Sequence, residues 1–292
     1  MNNIGIIGHG FVGKAVDYGF SSNWANKTII DPIYENHIQD LGPEVNLVFV
    51  CVPTPMGKDG HIDATIVWDT VRYLLEETAA IVVLKSTVTP DIIQNICFNI
   101  EGGMTRFVYN PEFLTEKRAM EDFVNPIMHV IGCYDRTTAE EVKQWYDDLS
   151  ICKPCPVYYM LPHEASYVKY GVNCFLATKV LFFNQLHDTV TEHGGNFGAI
   201  INAIGTDPRI GDSHTRVPGF DGKQGFGGAC FPKDTNAFIN FAKTDPDPRG
   251  GHITKDTHQT MTVLEEAISA NNKYRKGYEM DARELEQNVS YD

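Results

Sequence analysis

Residues 3–13 read Asn3-Ile4-Gly5-Ile6-Ile7-Gly8-His9-Gly10-Phe11-Val12-Gly13, and a helical pattern continues from Lys14 to Phe20. A short apolar strand, a G-x-G-x-x-G turn and a helix in this order are typical of a dinucleotide-binding unit. In such a turn Gly8 makes the tight bend, Gly10 lets a pyrophosphate approach, and Gly13 allows close packing of the helix. The sequence therefore predicts a Rossmann-type fold, with cofactor contacts from Gly8, Gly10, Phe11, Val12 and Gly13.

A second strand-like run, Lys27 to Ile30, ends at Asp31, eighteen residues after Gly13. An acidic side chain at this place can accept hydrogen bonds from the adenine ribose and would repel a 2′-phosphate. Asp31 could also be a simple turn residue before Pro32. In the company of the glycines we favour the first interpretation, which predicts NAD rather than NADP as the cofactor.

Further apolar runs of strand-like length follow at 47–52, 81–84, 107–109, 127–131 and 157–159. A helical pattern over 65–78 separates the first two, and such alternation favours an α/β fold with a doubly wound parallel sheet. Ligands bind at the carboxyl ends of parallel strands. The residues after two of these runs are therefore candidate cofactor contacts: Val52, Pro53, Thr54, Ser86 and Thr87. A turn between prolines for Thr54, or a helix cap before Pro90 for Thr87, is an equally good interpretation.

At Pro162 the composition changes, and His163 to His193 is predicted to form one long helix, because apolar residues recur at helical spacing without an interior proline. Shorter helices are predicted after it, the last from Thr260 to Lys276. A helix this long usually forms the spine of a domain or a dimer interface. We therefore expect a Rossmann domain at 1–160, a smaller all-helical dimerisation domain at 161–276 and a polar, frayed tail at 277–292.

A glycine-rich loop, Gln224 to Asp234, carries one cysteine, Cys230. Its three glycines have no side chain and can adopt positive φ, so a ligand can approach the loop closely. A positive field from Lys233 would favour the thiolate form of the cysteine. A buried, inert cysteine in a turn is the alternative interpretation. The loop is thus a candidate site for nucleophilic chemistry.

Two pairs of polar residues lie four positions apart, a spacing that puts side chains on one face of a helix. Lys169 and Asn173 lie on the predicted long helix, where a site and a solvated pair are equally good interpretations. Glu112 and Glu116 would share a face of any helical turn there, as a base and its hydrogen-bonding partner. Without context, a solvated surface beside Lys117 is the commoner meaning of such a carboxylate pair.

The composition limits the possible partners. A formal net charge of -14 over 292 residues argues against a nucleic-acid surface, which needs clustered Lys and Arg. No apolar run reaches membrane-spanning length and no signal-peptide pattern is present, so we expect no membrane partner and a cytoplasmic protein. Seven scattered cysteines form no disulfide framework, and the single pair Cys152-x-x-Cys155 lacks the second pair that zinc needs, so no metal is predicted.

Seven segments with possible chemical roles occur in one order along the chain. They are Gly8-x-Gly10-x-x-Gly13, Val52-Pro53-Thr54-Pro55, Lys85-Ser86-Thr87-Val88, Asn110-Pro111-Glu112-Phe113-Leu114, Glu164 with Lys169 and Asn173, Asp207-Pro208-Arg209-Ile210-Gly211, and Gly225-Phe226-Gly227-Gly228-Ala229-Cys230-Phe231-Pro232-Lys233-Asp234. Only the first is common in other proteins. Together, from residue 1 to near residue 276, the chain resembles the UDP-glucose/GDP-mannose dehydrogenase family, the nucleotide-sugar 6-dehydrogenases.

The resemblance implies a four-electron oxidation, in which the C6 alcohol of a nucleotide sugar becomes a carboxylate at the expense of two NAD and one water. Carried over by position, Cys230 would be the nucleophile that captures the aldehyde as a thiohemiacetal and then holds a thioester. Lys169 would stabilise the developing oxyanion, with Asn173 beside it.

The same resemblance implies the groups that handle protons. Asp234 and Thr87 would orient a water molecule and help proton transfer, and Glu112 would act as the base for thioester hydrolysis. Glu116 falls on a further acidic position of the loop that carries Glu112.

For the substrate, the resemblance implies contacts from Phe113 and Leu114 and a wrapping of the sugar by the loop Gly225 to Gly228. Arg209 would reach into the site of a neighbouring subunit, which makes a homodimer part of the catalyst.

Members of the family normally continue into a third, Rossmann-like domain that covers the nucleotide, and the resemblance here ends near residue 276. A compact enzyme with an altered substrate, a fragment, and one half of a split enzyme are the three explanations. A two-electron dehydrogenase of a smaller hydroxyl substrate and a non-catalytic NAD-binding assembly protein stay open as alternatives to the four-electron enzyme.

Overall fold

The computed structural model describes residues 2–20, 25–243 and 261–291, and predictions that fall on other positions stay predictions. The chain divides into two compact units. Unit 1 consists of Met1–Thr54 and Asp63–Lys169, and unit 2 of Pro55–Ile62 and Tyr170–Asp292. The division between the two units falls inside the long helix, and an eight-residue segment from the first third of the chain belongs with unit 2.

Unit 1 is built around a seven-stranded sheet. Its strands are β1 (Asn2–Ile7), β2 (Ala25–Ile30), β3 (Leu47–Val50), β4 (Ile81–Leu84), β5 (Phe107–Tyr109), β6 (His129–Gly132) and β7 (Val157–Met160). The order across the sheet is β2-β1-β3-β4-β5-β6-β7, so the direction of winding reverses between β1 and β3. In open α/β sheets a ligand binds beyond the carboxyl ends of the strands at such a point. The predicted Rossmann-type sheet is confirmed.

The sheet is not parallel throughout. Strands β1 to β5 pair in parallel, β6 pairs with β5 antiparallel through Tyr109 and Gly132, and β7 is parallel to β6. The last two strands therefore run opposite to the first five, and the predicted doubly wound sheet is mostly parallel. The chain leaves β5 at its carboxyl end and starts β6 from that same end, so the two strands must run antiparallel.

Apolar side chains cover both faces of the sheet, as expected where helices pack on either side. Along β3 the side chains alternate: Val48 and Val50 join one core cluster, whereas Leu47 and Phe49 join the other. The helices of this unit are α1 (Phe11–Gly19), α2 (Thr65–Glu77), α3 (Pro90–Asn99), α4 (Ala119–Val124) and α5 (Arg136–Leu149). Buried residues of α2 and α3 belong to the first cluster, and those of α1, α4 and α5 to the second.

Helices dominate unit 2. They are α6 (Pro162–Glu192), whose first eight residues lie in unit 1, α7 (Phe197–Gly205), α8 (Phe231–Lys243), α9 (Thr262–Arg275) and α10 (Ala282–Glu286). α6 ends at Glu192, and Gly194, two residues later, has a φ of 71°, the left-handed conformation that commonly follows the end of a helix. A small core of Ala177, Leu181, Phe226 and Ala267 joins α6, α9 and the glycine-rich loop. None of the helices in the described part of the chain combines the length and hydropathy that a membrane span requires.

The expectation of a frayed tail is wrong for residues 281–286. Asp281 caps α10 by accepting hydrogen bonds from the backbone N–H groups of Arg283 and Glu284. In turn, the carboxylate of Glu284 accepts a hydrogen bond from the backbone N–H of Asp281. Such a capping box satisfies donors that a helix start otherwise leaves unpaired. Glu284 and Val289 are buried, so this polar segment is a packed part of unit 2.

Candidate active site

The glycine turn joins β1 to α1. Gly8 has a φ of 85°, and its N–H donates to the carbonyl of Ile30 at 2.8 Å. A Cβ atom on Gly13 would lie 1.9 Å from the carbonyl oxygen of Gly8, so only glycine permits this packing of turn and helix. At Gly10, by contrast, nothing lies within 4 Å of a Cβ position. Phe11 and Val12, the first residues of α1, place the positive end of the helix beside this open space, which suits a pyrophosphate.

Asp31 directly follows β2 and ties that strand to the glycine turn. Its carboxylate accepts a hydrogen bond from the N–H of His9 at 2.6 Å and another from the N–H of Ile33 at 3.0 Å. A carboxylate has about four lone-pair positions, so these bonds leave room for hydroxyl donors of a ribose. A phosphate at the same place would meet a fixed negative charge, which is the basis for selecting NAD.

The predicted contacts after β3 and β4 lie beyond the carboxyl ends of those strands. β3 ends at Val50, two residues earlier than expected, so Val52, Pro53 and Thr54 belong to the loop. Val52, Thr54, Ser86 and Thr87 are buried, whereas Pro53 is exposed. The hydroxyl of Ser86 donates to the carbonyl of Val52 at 2.7 Å and so fixes the two loops to each other.

Glu112 and Lys169 form a buried ion pair in unit 1. The Lys169 Nζ lies 3.0 Å from Glu112 Oε1 and donates to the Glu112 carbonyl at 2.7 Å. The second carboxylate oxygen accepts from the N–H of Leu114 at 2.7 Å, and the ammonium lies 5.5 Å from the ring centroid of Phe113. Removing either partner would leave an uncompensated charge in a buried place, which is costly.

Glu116 does not join this pair through a shared helical face. Residues 111–115 have irregular backbone, and Glu116 begins a short 3₁₀ turn, Glu116–Arg118, where its side chain is exposed. The hypothesis of two carboxylates on one helical turn is therefore wrong.

Asp234 is the centre of a second polar cluster, in unit 2. It is 1% exposed, accepts from Asn173 Nδ2 at 2.6 Å and lies 2.6 Å from the ammonium of Lys233. Lys233 is itself buried, so its charge is matched by Asp234 within the cluster. Asn173 follows Lys169 by one turn along α6.

Cys230 immediately precedes α8, and its carbonyl accepts the N–H of Asp234 at 2.8 Å as the first bond of that helix. The side chain is partly exposed. A helix N-terminus stabilises negative charge, so this position suits a thiolate nucleophile. Cys230 and Asp234 stand one turn apart, which puts both side chains on the same face of the helix start.

The loop before Cys230 requires its glycines. Gly225 and Gly228 have φ values of 74° and 78°, in the left-handed region that glycine adopts readily. A Cβ on Gly227 would lie 2.3 Å from Arg275 Nη1, so the loop backbone lies directly against that guanidinium. Phe226, between these glycines, is buried.

The side chain of Arg209 contacts a residue that is close to it in sequence. Its side chain is 87% exposed and pairs with Asp207, two residues earlier, at 2.6 Å. No group of three or more His, Cys, Asp or Glu side chains within residues 2–20, 25–243 and 261–291 is arranged to hold a metal ion.

One surface cavity of about 600 Å³ in unit 1 is lined by acidic residues of α5, including Glu140, Glu141 and Asp148. Its negative lining would repel phosphates, and none of the predicted site residues belongs to it. The cavity is therefore not the candidate site.

Lys85, the first residue of the segment Lys85-Ser86-Thr87-Val88, is a buried ionisable group for which the sequence predicts no role. Burial lowers the pKa of Lys85 to about 8, and its ammonium donates to Asn110 Oδ1 at 3.0 Å. Tyr146 donates to the same oxygen at 2.8 Å. A lysine directly after the four buried apolar residues of β4 was the signal that could have found this network.

The glycine turn, the acidic residue after β2 and the reversal of strand order are the features of an NAD-binding Rossmann domain in unit 1. Two models of one family match the chain: the NAD binding domain of the UDP-glucose/GDP-mannose dehydrogenase family matches residues 33–150, and its central domain matches residues 163–272. Together they cover well over half of the sequence. The chain belongs to the UDP-glucose/GDP-mannose dehydrogenase family.

Individual proteins agree with this assignment. A UDP-glucose 6-dehydrogenase from Rickettsia felis is 32% identical over 223 residues, which is 75% of this chain and 48% of the relative. The chain thus spans about half the length of that relative. A UDP-glucose dehydrogenase structure from Pyrobaculum islandicum superposes with a TM-score of 0.73 at 28% identity, over 94% of this chain and 68% of that chain.

A second structure shares the fold at nearly equal coverage of both chains. The 3-hydroxyisobutyrate dehydrogenase of Mycobacterium tuberculosis gives a TM-score of 0.69 at 14% identity, over 95% of this chain and 94% of that chain. At this identity the likeness concerns the fold alone.

Proposed function

We propose that the chain oxidises the C6 alcohol of a nucleotide sugar to the carboxylate with two NAD, through a thiohemiacetal and a thioester on Cys230. The observation that carries this proposal is the arrangement at the start of α8. A partly exposed cysteine stands at the helix N-terminus, one turn before a buried carboxylate held by Asn173 and Lys233. Membership of the dehydrogenase family supports it.

In this mechanism bound NAD supplies the hydride acceptor for both oxidations. Lys169 donates a hydrogen bond to the C6 oxygen as negative charge develops there, and Asn173 orients the same oxygen. The hydroxyl proton leaves through a water molecule held by Asp234 and Thr87. These groups together produce the aldehyde and keep it bound.

The sulfur of Cys230 then bonds to C6 of the aldehyde, and the resulting thiohemiacetal oxygen is again stabilised by Lys169. Loss of the second hydride converts this adduct into a thioester. Glu112 takes a proton from a water molecule, whose oxygen bonds to C6 while the carbon–sulfur bond breaks. Cys230 returns to the thiol, and the product is the carboxylate.

Product stoichiometry tests this proposal. The purified protein is incubated with NAD and a panel of UDP- and GDP-sugars, and NADH absorbance is compared with the carboxylate formed. We expect two NADH per carboxylate for the substrate. Cys230→Ser is expected to abolish carboxylate formation while NAD binding stays intact, and Cys155→Ser, which changes a partly buried thiol of unit 1, serves as the control. Carboxylate production by Cys230→Ser at the rate of the parent protein would refute the mechanism.

A second candidate function is the two-electron oxidation of a smaller hydroxyl substrate. It would use the same glycine turn for NAD and would need no covalent step on Cys230. One NADH per substrate, with Cys230→Ser as active as the parent protein, would favour this candidate over the first.

We also propose that the chain acts as a homodimer in which Arg209 reaches the partner's site. Two observations support an interface: the Arg209 side chain is 87% exposed, and Phe175 and Phe182, two turns apart on α6, are exposed at 67% and 60%. Large apolar side chains grouped on one helix face usually mark a protein interface.

Mixing two inactive variants tests the shared site. Arg209→Ala supplies an intact Cys230, and Cys230→Ser supplies an intact Arg209. If Arg209 acts across the dimer, random pairing of the two variants restores about a quarter of the parent activity, because half the dimers then hold one complete site. Absence of any recovery, in a sample shown to contain mixed dimers, would contradict this assignment.

A further inference from the structure

Glu284 is a buried carboxylate in a segment whose composition predicted a solvated tail. Its side chain is 1% exposed, although it belongs to the five-residue helix α10. One oxygen, Oε2, accepts the N–H of Asp281 at 2.9 Å and completes the capping box. The other oxygen, Oε1, accepts the hydroxyl of Tyr291 at 2.5 Å. Helix capping therefore uses only half of this carboxylate.

The remaining contact of Glu284 is with the glycine-rich loop. The backbone N–H of Gly228 donates to Glu284 Oε1 at 2.9 Å, a bond between residues 56 positions apart in sequence. Gly228 has a φ of 78° and lies two residues before Cys230. The bond thus fixes the last left-handed turn before the cysteine.

Arg275 holds the other end of the same loop. Its guanidinium, 3% exposed, donates to the carbonyl of Gly225 at 2.9 Å and to Asp221 at 2.7 Å. Its Nη1 lies 4.0 Å from Glu284 Oε1. The loop backbone is therefore hydrogen-bonded at Gly225 to the buried cation Arg275 and at Gly228 to the buried anion Glu284. The opposite charges of Arg275 and Glu284 stabilise each other.

We propose that Glu284 is a positioning residue that sets the orientation of Cys230 through Gly228. This inference rests on the proposed role of Cys230 as the nucleophile. A carboxylate is required because both oxygens accept hydrogen bonds from fixed donors. In Glu284→Gln the amide NH₂ must face either Gly228 and Tyr291 or Asp281, so at least one donor meets another donor.

The test uses the full chain and three variants. Glu284→Gln removes the negative charge of the group that accepts the Gly228 N–H, so this bond is weakened whichever way the amide faces. Glu286→Gln is the matched control, because this carboxylate lies on the same helix with its side chain 63% exposed and 3.7 Å from Arg283. Asp281→Ala removes the acceptor that caps α10 but leaves the bond between Glu284 and Gly228 in place.

Two readouts are measured for each variant. Hydrogen exchange of the peptide covering 225–230 reports on the loop, and kcat and KM report on the reaction. For Glu284→Gln we expect faster exchange in that peptide, no change in β3 and β4, and a fall in kcat of about 10- to 100-fold with unchanged NAD affinity. Glu286→Gln is expected to match the parent protein in both readouts, and Asp281→Ala to raise exchange in α10 alone.

The outcomes separate the inference from the proposed function. Parent-like exchange at 225–230 together with parent-like kcat in Glu284→Gln overturns the positioning role. Equal losses in Glu284→Gln and Asp281→Ala also overturn it, since capping of α10 would then explain both. If instead Cys230→Ser still forms the carboxylate, the proposed function fails, whatever the exchange data show for Glu284.

Discussion

Two glycine-to-alanine substitutions in the glycine turn should affect different properties of the protein. Gly13→Ala and Gly10→Ala each add one methyl group to the same six-residue motif. At Gly13 the new carbon would lie 1.9 Å from the carbonyl oxygen of Gly8, whereas at Gly10 it would meet nothing within 4 Å. The first variant should therefore lose stability, and the second should lose affinity for NAD alone.

The magnitude at Gly13 follows from two opposing effects. Alanine inside α1 gains about 1 kcal/mol of helix propensity over glycine. Against this, the methyl group and the Gly8 carbonyl oxygen must move apart from 1.9 Å to at least 3.0 Å. The Gly8 backbone has little room to move, because it packs closely against Cys51: a Cβ on Gly8 would lie 2.6 Å from the Cys51 carbonyl oxygen. Overpacking of this kind costs about 1–3 kcal/mol, or more. Because the required movement exceeds 1 Å, we take the upper part of this range, about 2–3 kcal/mol, and expect a net loss of about 1–2 kcal/mol for Gly13→Ala.

Gly10 has a φ of -72°, which alanine adopts without strain. It precedes α1 as the N-cap residue, where replacing glycine by alanine costs less than about 1 kcal/mol. A methyl group there would, however, occupy the space that the pyrophosphate needs. We expect NAD affinity to fall at least tenfold, which corresponds to about 1.4 kcal/mol.

Urea unfolding followed by tryptophan fluorescence measures the stability of the first unit, because the three tryptophans, Trp24, Trp68 and Trp145, all precede residue 170. Isothermal titration calorimetry with NAD measures the affinity. Parent-like NAD affinity in Gly10→Ala would show that the pyrophosphate does not pass over this residue. Parent-like stability in Gly13→Ala would show that the turn can relax by more than 1 Å at no cost, against the packing argument.

Three further predictions concern buried polar groups. Burial lowers the pKa of His129 to about 4, so the unfolded chain binds a proton that the native chain does not, and the free energy of unfolding falls by about 3 kcal/mol between pH 6.5 and pH 4. His129→Gln should remove this loss in urea titrations, and an unchanged pH profile would contradict the assignment. Burial likewise lowers the pKa of Lys85 to about 8, so stability should fall by about 3 kcal/mol as the pH drops from 10.5 to 8, and Lys85→Met should flatten that range. Asn173→Leu leaves Asp234 Oδ2 without its Asn173 donor and should lower the free energy of unfolding, followed by circular dichroism, by about 1–3 kcal/mol. An unchanged free energy of unfolding would show that another donor replaces Asn173.

The sheet could be predicted from the sequence where continuous apolar runs are bounded by turn residues. β4 was predicted with its observed bounds, because Ile81 to Leu84 is buried on both faces and Lys85 ends the run. The direction of β6 and β7 could not be predicted in the same way. Apolar patterning indicates that a strand is buried, but it does not indicate whether the strand runs parallel or antiparallel to its neighbour in the sheet.

The two carboxylates of the 112–116 segment show a different limit. Their spacing predicts a shared face only if the backbone is helical, and the backbone from 111 to 115 is irregular. The burial of Glu112 depends on Lys169, which lies 57 positions further along the chain. A contact of that separation leaves no trace in local spacing.

Residues 281–286 form a capped helix where a frayed tail is expected, although the sequence contains a local signal for the helix. The spacing Asp281-x-x-Glu284 is that of a capping box, which predicts the start of a helix. The polar composition of the segment, by contrast, favours a solvated tail. What the sequence could not show is that Glu284 is buried, since its partner Gly228 belongs to a distant loop.

The short segment Pro55–Ile62 has a consequence for the exchange of modules between related proteins. It is continuous in sequence with the first unit, yet its backbone bonds are to the second: Met56 N–H donates to the carbonyl of Gln287, and Asn240 Nδ2 to the carbonyl of Asp59. A fragment cut after Lys169 would carry this segment away from both partners. A graft of the helical unit onto a foreign Rossmann domain would have to bring the segment with it, so recombination between homologues should favour inheritance of the two parts as a matched set.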